Sequence, residues 1–338
     1  MAVDRQLASV LTTFADGPAP ESLTVAENRA MVAALAEFGD GPQPVASVVN
    51  THVPADGHDI PIRIYSPAGP STEHPLPVTV FAHGGGWVAG TLDSQDHIAR
   101  STANRSGTIV VSVGYRLAPE HPFPAAVEDV YATLVWVSQH GNVFGGDPER
   151  IALLGESAGG NLAAVTAQET RRRDGPRVTL QVLAYPATDR LDQSPSMSEN
   201  AEGPVLTRAW LEWFWNLYLT SPDQGSDPRV SPARAADLRG LARAVVVTAE
   251  HDPLRDQGAR YAARLQEAGV PVEHIDVPGA VHGLLSFTRD VALSRDVLNR
   301  LGDEIRDAFA EPAAVANEPA AVANEPAAVA NEPAAVTK

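Results

Sequence analysis

The segment that most clearly indicates catalytic chemistry places a serine between glycines. It reads Gly-Glu-Ser-Ala-Gly-Gly, with Ser157 as its serine, directly after the apolar run 151–154 and before the helical pattern 158–171. A serine at a strand-to-helix turn is lifted clear of the sheet, where its hydroxyl can attack a carbonyl carbon. The pentapeptide GxSxG also arises by chance, so the strand and helix on either side of it carry the prediction that Ser157 is a nucleophile.

A second glycine-rich segment, His-Gly-Gly-Gly-Trp at 83–87, follows another apolar run at 78–82. Consecutive glycines let the backbone approach a ligand closely and direct N–H groups at it. A phosphate-binding loop would need a following Lys-Ser/Thr or the spacing GxGxxG, and neither is present. We therefore predict an oxyanion hole formed by the N–H groups of Gly84, Gly85 and Ala158.

A serine nucleophile needs a base, and His282 occupies the position where that base is expected. In this type of fold the order along the chain is serine, acid and histidine, with the last two on loops after later strands. His282 directly follows the strand-like run 272–277, and the other histidine in this region, His274, lies inside that run. The sequence therefore predicts that His282 takes the proton of Ser157.

The acid that orients the base has three candidates on one loop. Glu250, Asp252 and Asp256 all follow the strand-like run 244–249. Asp256 suits the first turn of the next helix, and Glu250 suits a supporting acceptor. Position along the loop favours Asp252, beside Pro253, and leaves the other two open.

The elements that must position these residues form an alternating pattern. From residue 78 onward, near-continuous apolar runs alternate with helical patterns, which predicts a mostly parallel sheet covered by helices on both faces. Ligands of such sheets gather at the carboxyl ends of the strands. Two earlier runs, 46–54 and 59–66, flank an Asp-Gly pair and predict an antiparallel hairpin.

One internal stretch does not fit this alternation. Residues 187–240 lack a strand pattern and contain a helical segment, 206–219, that is rich in aromatic residues. An insertion of this length is often functional, which favours a lid. The alternative is that the aromatic residues simply form core, and the two interpretations are compatible.

Together these motifs resemble the bacterial hormone-sensitive-lipase family of esterases. The resemblance runs from about residue 75 to 290. It is carried by HGGGW at 83–87, YRLAPEHPFPAA at 115–126, GESAGG at 155–160, DPLRD at 252–256 and VHG at 281–283. It implies the α/β-hydrolase fold, Asp252 as the acid, and cis peptide bonds before Pro119 and Pro124. The family most often has Asp where this chain has Glu156, and we expect Glu156 to serve the same supporting network.

The resemblance also implies a domain organisation. A cap is expected from N-terminal helices at 1–45 together with the insertion at 187–240, above a catalytic domain of residues 46–186 and 241–310. The tail at 311–338 repeats Glu-Pro-Ala-Ala-Val-Ala-Asn, and a proline in every repeat argues against a long helix. We predict that this tail is flexible.

The predicted function is hydrolysis of short- to medium-chain carboxylic esters through an acyl-enzyme, without a metal or organic cofactor. Trp87, Leu206, Phe214 and Leu284 are candidate walls of the substrate pocket. Amides, N-acetyl groups and lactones remain alternative substrates of the same triad. A non-catalytic ligand receptor is a further alternative, but receptors of this kind typically lose the base, and His282 is present.

The amino-acid composition restricts which binding partners and which cellular compartment are expected. The net charge of −17 extends beyond the tail, since the tail holds four Glu against one Lys, and such an acidic chain is a poor partner for nucleic acid. The chain has no cysteine, which excludes disulfides and thiolate chemistry. No secretory signal or membrane-spanning run is evident, so we expect a cytoplasmic protein without stable membrane insertion. Assembly of the chain into a homo-oligomer is left open by the sequence.

Overall fold

The structure, a computed structural model, describes residues 2–13, 17–69 and 73–310. Its strands are β1 (Ser47–Ala55), β2 (His58–Ser66), β3 (Leu76–Ala82), β4 (Ile109–Val113), β5 (Gly146–Glu156), β6 (Leu180–Ala184), β7 (Arg243–His251) and β8 (Val272–Val281). Its α-helices are α1 (Arg5–Leu11), α2 (Val25–Ala34), α3 (Asp96–Ser106), α4 (Ala125–His140), α5 (Ala158–Arg172), α6 (Ser196–Glu199), α7 (Arg208–Tyr218), α8 (Arg255–Glu267) and α9 (Ala292–Ala310). The repetitive tail, predicted to be flexible, lies outside the described residues.

The strands of the described residues form one sheet in the order β1-β2-β4-β3-β5-β6-β7-β8. β2 runs antiparallel to both β1 and β4, whereas the pairs from β4 through β8 are parallel. The predicted fold class, a mostly parallel sheet with an antiparallel hairpin, is confirmed, and the hairpin β1-β2 lies at one edge of the sheet. The carboxyl ends of β5, β7 and β8 therefore meet at one edge of the sheet.

Helices cover both faces of this sheet, and the alternation of strand residues explains why. Successive side chains of a strand point to opposite faces, so a strand covered on both sides must be apolar throughout. In β5, Leu153 belongs to the hydrophobic cluster that also contains residues of α4, α5 and α8. Its neighbour Leu154 belongs to the cluster on the other face, with residues of α3 and α9. This burial holds the central strands and fixes the loops that follow them.

The region between β6 and β7 lies over the carboxyl ends of the strands. Residues 187–240, all of which the structure describes, contain α6, α7 and two short 3-10 helices but no strand. The apolar face of α7 is buried, and Tyr218 stacks on the ring of Trp87 at 4.5 Å. Both interpretations of the aromatic residues therefore describe part of the arrangement. The assignment of this region as a cap stays a prediction.

The N-terminal helix α2 is attached to the loops beneath it through Arg29. The guanidinium group of Arg29 donates to the carbonyl oxygens of Val88 at 2.8 Å and Ala118 at 3.0 Å. It also forms an ion pair with Glu120. The peptide bonds before Pro119 and Pro124 in this loop region are both cis, as the resemblance implies.

Candidate active site

Ser157 lies at the sharp turn between β5 and α5. Its backbone has φ of 56° and ψ of −120°, a conformation that L-residues rarely adopt. The turn brings backbone segments so close that side chains are excluded. A Cβ on Gly155 would lie 2.0 Å from the carbonyl oxygen of Gly159, and one on Gly159 would lie 2.0 Å from that of Ala82. The glycines of the motif are therefore required by this close approach.

The hydroxyl of Ser157 is the first member of a chain of hydrogen bonds. Its Oγ lies 2.8 Å from Nε2 of His282, and Nδ1 of His282 lies 2.7 Å from Oδ2 of Asp252. Asp252 is fully buried, and its second oxygen accepts from the N–H of Leu254 at 2.8 Å. The three residues predicted from sequence are thus brought together, in the order nucleophile, base and acid.

The two competing acids on the same loop are directed elsewhere. Glu250 accepts from the N–H of Gly279 at 2.7 Å, and Asp256 accepts from the N–H of Ser196 at 2.9 Å. The loop therefore uses each carboxylate differently, and only Asp252 contacts the imidazole ring of His282.

The surroundings of His282 favour its protonated form. Burial tends to lower the pKa of His282, but the charge of Asp252 and its hydrogen bond act in the opposite sense and outweigh burial. The negative charge of Glu156 adds to this effect, and the pKa of His282 lies above its ordinary value. The site can therefore stabilise the imidazolium ion that forms when the ring takes a proton.

The glycine-rich loop at 83–87 turns one of its glycines away from Ser157. The N–H of Gly84 interacts with the carboxylate of Glu156, and a Cβ on Gly84 would lie 1.9 Å from an oxygen of that group. Gly85 and Gly86, with φ of 116° and 60°, line the cavity next to Ser157, as does Ala158. Of the three predicted oxyanion donors, Gly85 and Ala158 line the cavity and Gly84 does not, whereas Gly86, which was not predicted, lines it as well.

Glu156 is the buried centre of a polar network behind this loop. Nε2 of Gln95 donates to its carboxylate at 2.6 Å, and the hydroxyl of Tyr185 interacts with it as well. Burial raises the pKa of Glu156 above its ordinary value, although these donors and the charge of His282 favour its ionised form. The ring of Tyr185 in turn packs edge-on against His282 at 5.1 Å. The network thus joins the glycine-rich loop at 83–87 to His282.

A cavity of about 70 Å³ opens beside Ser157. Apart from the residues of the site itself, its walls are mainly apolar and come from both predicted cap segments: Val32 and Leu35 from the N-terminal one, and Val205, Leu206, Trp210, Leu211 and Phe214 from the insertion. The predicted wall residues Trp87, Leu206 and Phe214 are among those that line it. The N-terminal contributors were not predicted, since isolated apolar residues on a helix carry no sign of which cavity they face.

The fourth predicted wall residue, Leu284, requires a correction. Leu284 is fully buried in the hydrophobic cluster on the α3 and α9 face and does not line the cavity. Gly283 takes a left-handed conformation with φ of 71°, and the chain turns there into a short 3-10 helix. Gly283 and Ser286 line the cavity instead.

Sequence reasoning also missed contacts between the insertion and the loop that carries Asp252. Nδ2 of Asn200 donates to the carbonyl oxygen of Asp252 at 3.1 Å, and Oγ of Ser196 donates to that of Pro253 at 2.8 Å. Ser196 is the first residue of α6 and Asn200 directly follows that helix, and Ser196 is fully buried. These bonds attach the acid loop to the segment that also forms the cavity wall.

Among the residues that the structure describes, no group of three or more His, Asp or Glu side chains is placed to hold a metal ion. Over the same residues, no helix combines the length and the apolar character needed to cross a bilayer.

Comparisons with known proteins agree on one family. Residues 79–286 match a family described as having the α/β-hydrolase fold. Carboxylesterase NlhH of Mycobacterium tuberculosis is 46% identical over 246 residues, which cover 72% of this chain and 76% of that protein. Ethyl acetate hydrolase of Pseudomonas putida is 38% identical over 231 residues, covering 68% and 73%. The solved structure of a hyperthermophilic esterase from the archaeon Pyrobaculum calidifontis is 36% identical, with a TM-score of 0.86, covering 92% of this chain and 100% of that one.

The charges around the imidazole predict how its pKa responds to substitution. In the unmodified protein the pKa of His282 is expected above its ordinary value of about 6.5. Glu156→Gln should lower it because one of the negative charges that raise it is removed, and Asp252→Asn should lower it further because Asp252 is the stronger contributor. NMR titration of isotope-labelled histidine, with the signal assigned through His282→Asn, measures these values. An unchanged pKa in Glu156→Gln would contradict the electrostatic link.

Proposed function

Because the chain belongs to the hormone-sensitive-lipase family of α/β-hydrolase esterases, and is a serine carboxylesterase, we propose that Ser157, His282 and Asp252 form its catalytic triad. The observation that carries this proposal is the continuous pair of short contacts, 2.8 Å from Ser157 to His282 and 2.7 Å from His282 to Asp252. The substrates are esters with short to medium acyl chains.

The first stage transfers the acyl group to the enzyme. Oγ of Ser157 attacks the carbonyl carbon of the ester while Nε2 of His282 takes the hydroxyl proton. The imidazolium ion that results is stabilised at Nδ1 by the carboxylate of Asp252. His282 then returns the proton to the departing alcohol as the bond between the carbonyl carbon and the alcohol oxygen breaks.

The negative charge on the carbonyl oxygen is stabilised by backbone N–H groups. We assign this role to Gly85, Gly86 and Ala158, and no longer to Gly84. Support comes from the cavity lining, which includes those three residues, and from the interaction of the Gly84 N–H with Glu156. One such donor is worth about 3–4 kcal/mol at the transition state of related reactions.

The second stage releases the acid. A water molecule gives a proton to Nε2 of His282 and attacks the acyl-enzyme carbonyl, and the same N–H groups hold the second oxyanion. The proton then passes to Oγ of Ser157 as the acyl bond breaks. All the proton transfers in this scheme are made by side chains of the chain itself.

The size of the cavity supports a preference for short acyl groups. Its volume is only about 70 Å³, which leaves little room for a long acyl chain. Aromatic side chains of α7 close it on one side, so a long acyl chain would have to displace them. The printed name of the Pseudomonas putida relative, ethyl acetate hydrolase, points in the same direction.

Hydrolysis of p-nitrophenyl esters from acetate to palmitate tests the proposal. Turnover should be fastest for short chains and fall steeply toward palmitate because the cavity admits only a few carbons. Ser157→Ala should lower kcat by about 10⁴ or more, since the nucleophile is lost while binding is kept. A folded protein that turns over none of these esters would contradict the proposal. Such a protein would then be tested on amide and N-acetyl substrates.

The same assay with Phe214→Ala tests the role of the cavity wall. Removing this ring should move the chain-length optimum by roughly two carbons or more, because the space it leaves lies inside the pocket. Trp213→Ala is the matched control: Trp213 packs edge-on against Phe214 at 5.3 Å but does not line the cavity. If the chain-length optimum is unchanged in Phe214→Ala, or shifts equally in Trp213→Ala, Phe214 does not limit the length of the acyl chain.

A further inference from the structure

The glycine-rich loop ends in a tryptophan whose backbone has an unfavourable conformation. Trp87 has φ of 61°, in the left-handed region that bulky residues rarely adopt. Gly85 and Gly86 directly before it also have positive φ, but glycine adopts such angles readily. The conformation of Trp87 must therefore be maintained by its surroundings.

Hydrogen bonds hold the backbone of Trp87 but not its ring. The carbonyl oxygen of Trp87 accepts from the N–H of Ala118 at 2.9 Å. The residue is 1% exposed, and within the part of the chain that the structure describes its indole N–H has no acceptor. The orientation of the indole ring is therefore determined by packing.

Two aromatic rings of α7 provide that packing. The ring of Tyr218 lies parallel to the indole at 4.5 Å, and the ring of Trp215 lies tilted against it at 4.2 Å. Both residues are buried, and neither lines the cavity beside Ser157. Their influence on the reaction must therefore pass through other residues, and Trp87 is the one that connects them to the glycine-rich loop.

Tyr218 is itself fixed by the segment that follows β4. The N–H of Phe123 donates to the carbonyl oxygen of Tyr218 at 2.8 Å, and the two rings pack edge-on at 5.9 Å. The hydroxyl of Tyr218 is buried without a hydrogen-bond partner among the described residues. Tyr218 therefore acts through its ring, and phenylalanine would make the same contact with Trp87.

We propose that Tyr218, together with Trp215, is a positioning residue for the oxyanion hole. The two rings hold Trp87, and Trp87 holds the two glycines before it, whose N–H groups we assign to the developing oxyanion. This inference rests on the proposed ester hydrolysis and deepens it. It also gives α7 a second task, because the helix must stay in contact with the glycine-rich loop while the carbonyl oxygen carries its negative charge.

Tyr218→Leu removes the aromatic contact while leaving a side chain in part of the space. Its kcat for p-nitrophenyl acetate should fall by about tenfold, less than for a lost oxyanion donor, because the N–H groups are displaced and not removed. KM should change by less than about threefold, since Tyr218 does not line the cavity. Active sites are counted by the p-nitrophenol released from a p-nitrophenyl alkylphosphonate at complete reaction, so that inactive protein does not lower kcat.

Two ketone inhibitors distinguish a displaced oxyanion hole from a loosened protein. Oγ of Ser157 adds to the carbonyl carbon of 1,1,1-trifluoropentan-2-one, His282 takes the proton, and the carbonyl oxygen becomes negative. Pentan-2-one, which has a much less electrophilic carbonyl, binds without this addition. The inhibition constant of pentan-2-one divided by that of the trifluoro ketone should fall by about tenfold in Tyr218→Leu. This ratio is measured on one preparation and does not depend on its active fraction.

Three further variants complete the experiment. Tyr218→Phe should return the ratio to that of the unmodified enzyme, because the ring is restored. Trp215→Leu should lower the ratio in the same direction, and it provides the test if Tyr218→Leu does not fold. Tyr261→Leu is the matched control: Tyr261 is equally buried, but it lies in α8, where its hydroxyl contacts Gln168. Its loss should leave the ratio unchanged.

An unchanged ratio in folded Tyr218→Leu or Trp215→Leu would overturn the proposal. So would an equal fall in Tyr218→Phe, which would mean that the hydroxyl and not the ring is required. An equal fall in Tyr261→Leu would also overturn it, since any lost buried ring would then disturb the site. An unmodified enzyme that hydrolyses no ester and forms no adduct with the trifluoro ketone would instead contradict the proposed function.

Discussion

The close approach of three backbone segments around Ser157 is the constraint on which the site depends. β5 ends there, α5 begins there, and the carbonyl oxygen of Ala82 at the end of β3 lies against Gly159. The N–H of Ser157 donates to the carbonyl oxygen of Ala184, which ties the turn to β6 as well. Any side chain at Gly155 or Gly159 would separate these segments. The positive φ of Ser157 is held by the packing of the parallel strands and not by its own preference.

The geometry of that turn makes the surrounding polar network necessary. A hydroxyl raised above the sheet meets the base from the loop after β8, and the base in turn needs a buried carboxylate from the loop after β7. Burial of charged groups is costly unless each is paired. Asp252 pairs with His282 and with the N–H of Leu254, while Glu156 pairs with Gln95 and with the N–H of Gly84. The two carboxylates thus act on one imidazole ring from two loops, and both raise its pKa.

The fold and the three residues of the proposed triad could be predicted because both leave local signals in the sequence. Continuous apolar runs follow from strands buried on two faces, and the Gly-rich turn around Ser157 follows from steric exclusion. The sequence was less informative about which N–H groups of the glycine-rich loop act as the proposed oxyanion donors. That choice depends on the torsion angles of Gly85 and Gly86, and three consecutive glycines give no indication of those angles. Leu284 was misplaced for the same kind of reason, a left-handed turn at Gly283. The contact of Gln95 with Glu156 could not be predicted, because the two residues lie 61 positions apart in the sequence and no local pattern indicates that they meet.

Covalent capture of the nucleophile tests the central claim most directly. A p-nitrophenyl alkylphosphonate with a short alkyl chain mimics the tetrahedral intermediate and loses p-nitrophenol when a serine attacks its phosphorus. Intact-mass and peptide mass spectrometry should find one phosphonyl group per chain, on Ser157. Ser157→Ala should carry none, and Asp252→Asn should react more slowly because His282 is no longer oriented. Modification of a different residue, or full reaction in Ser157→Ala, would contradict the account.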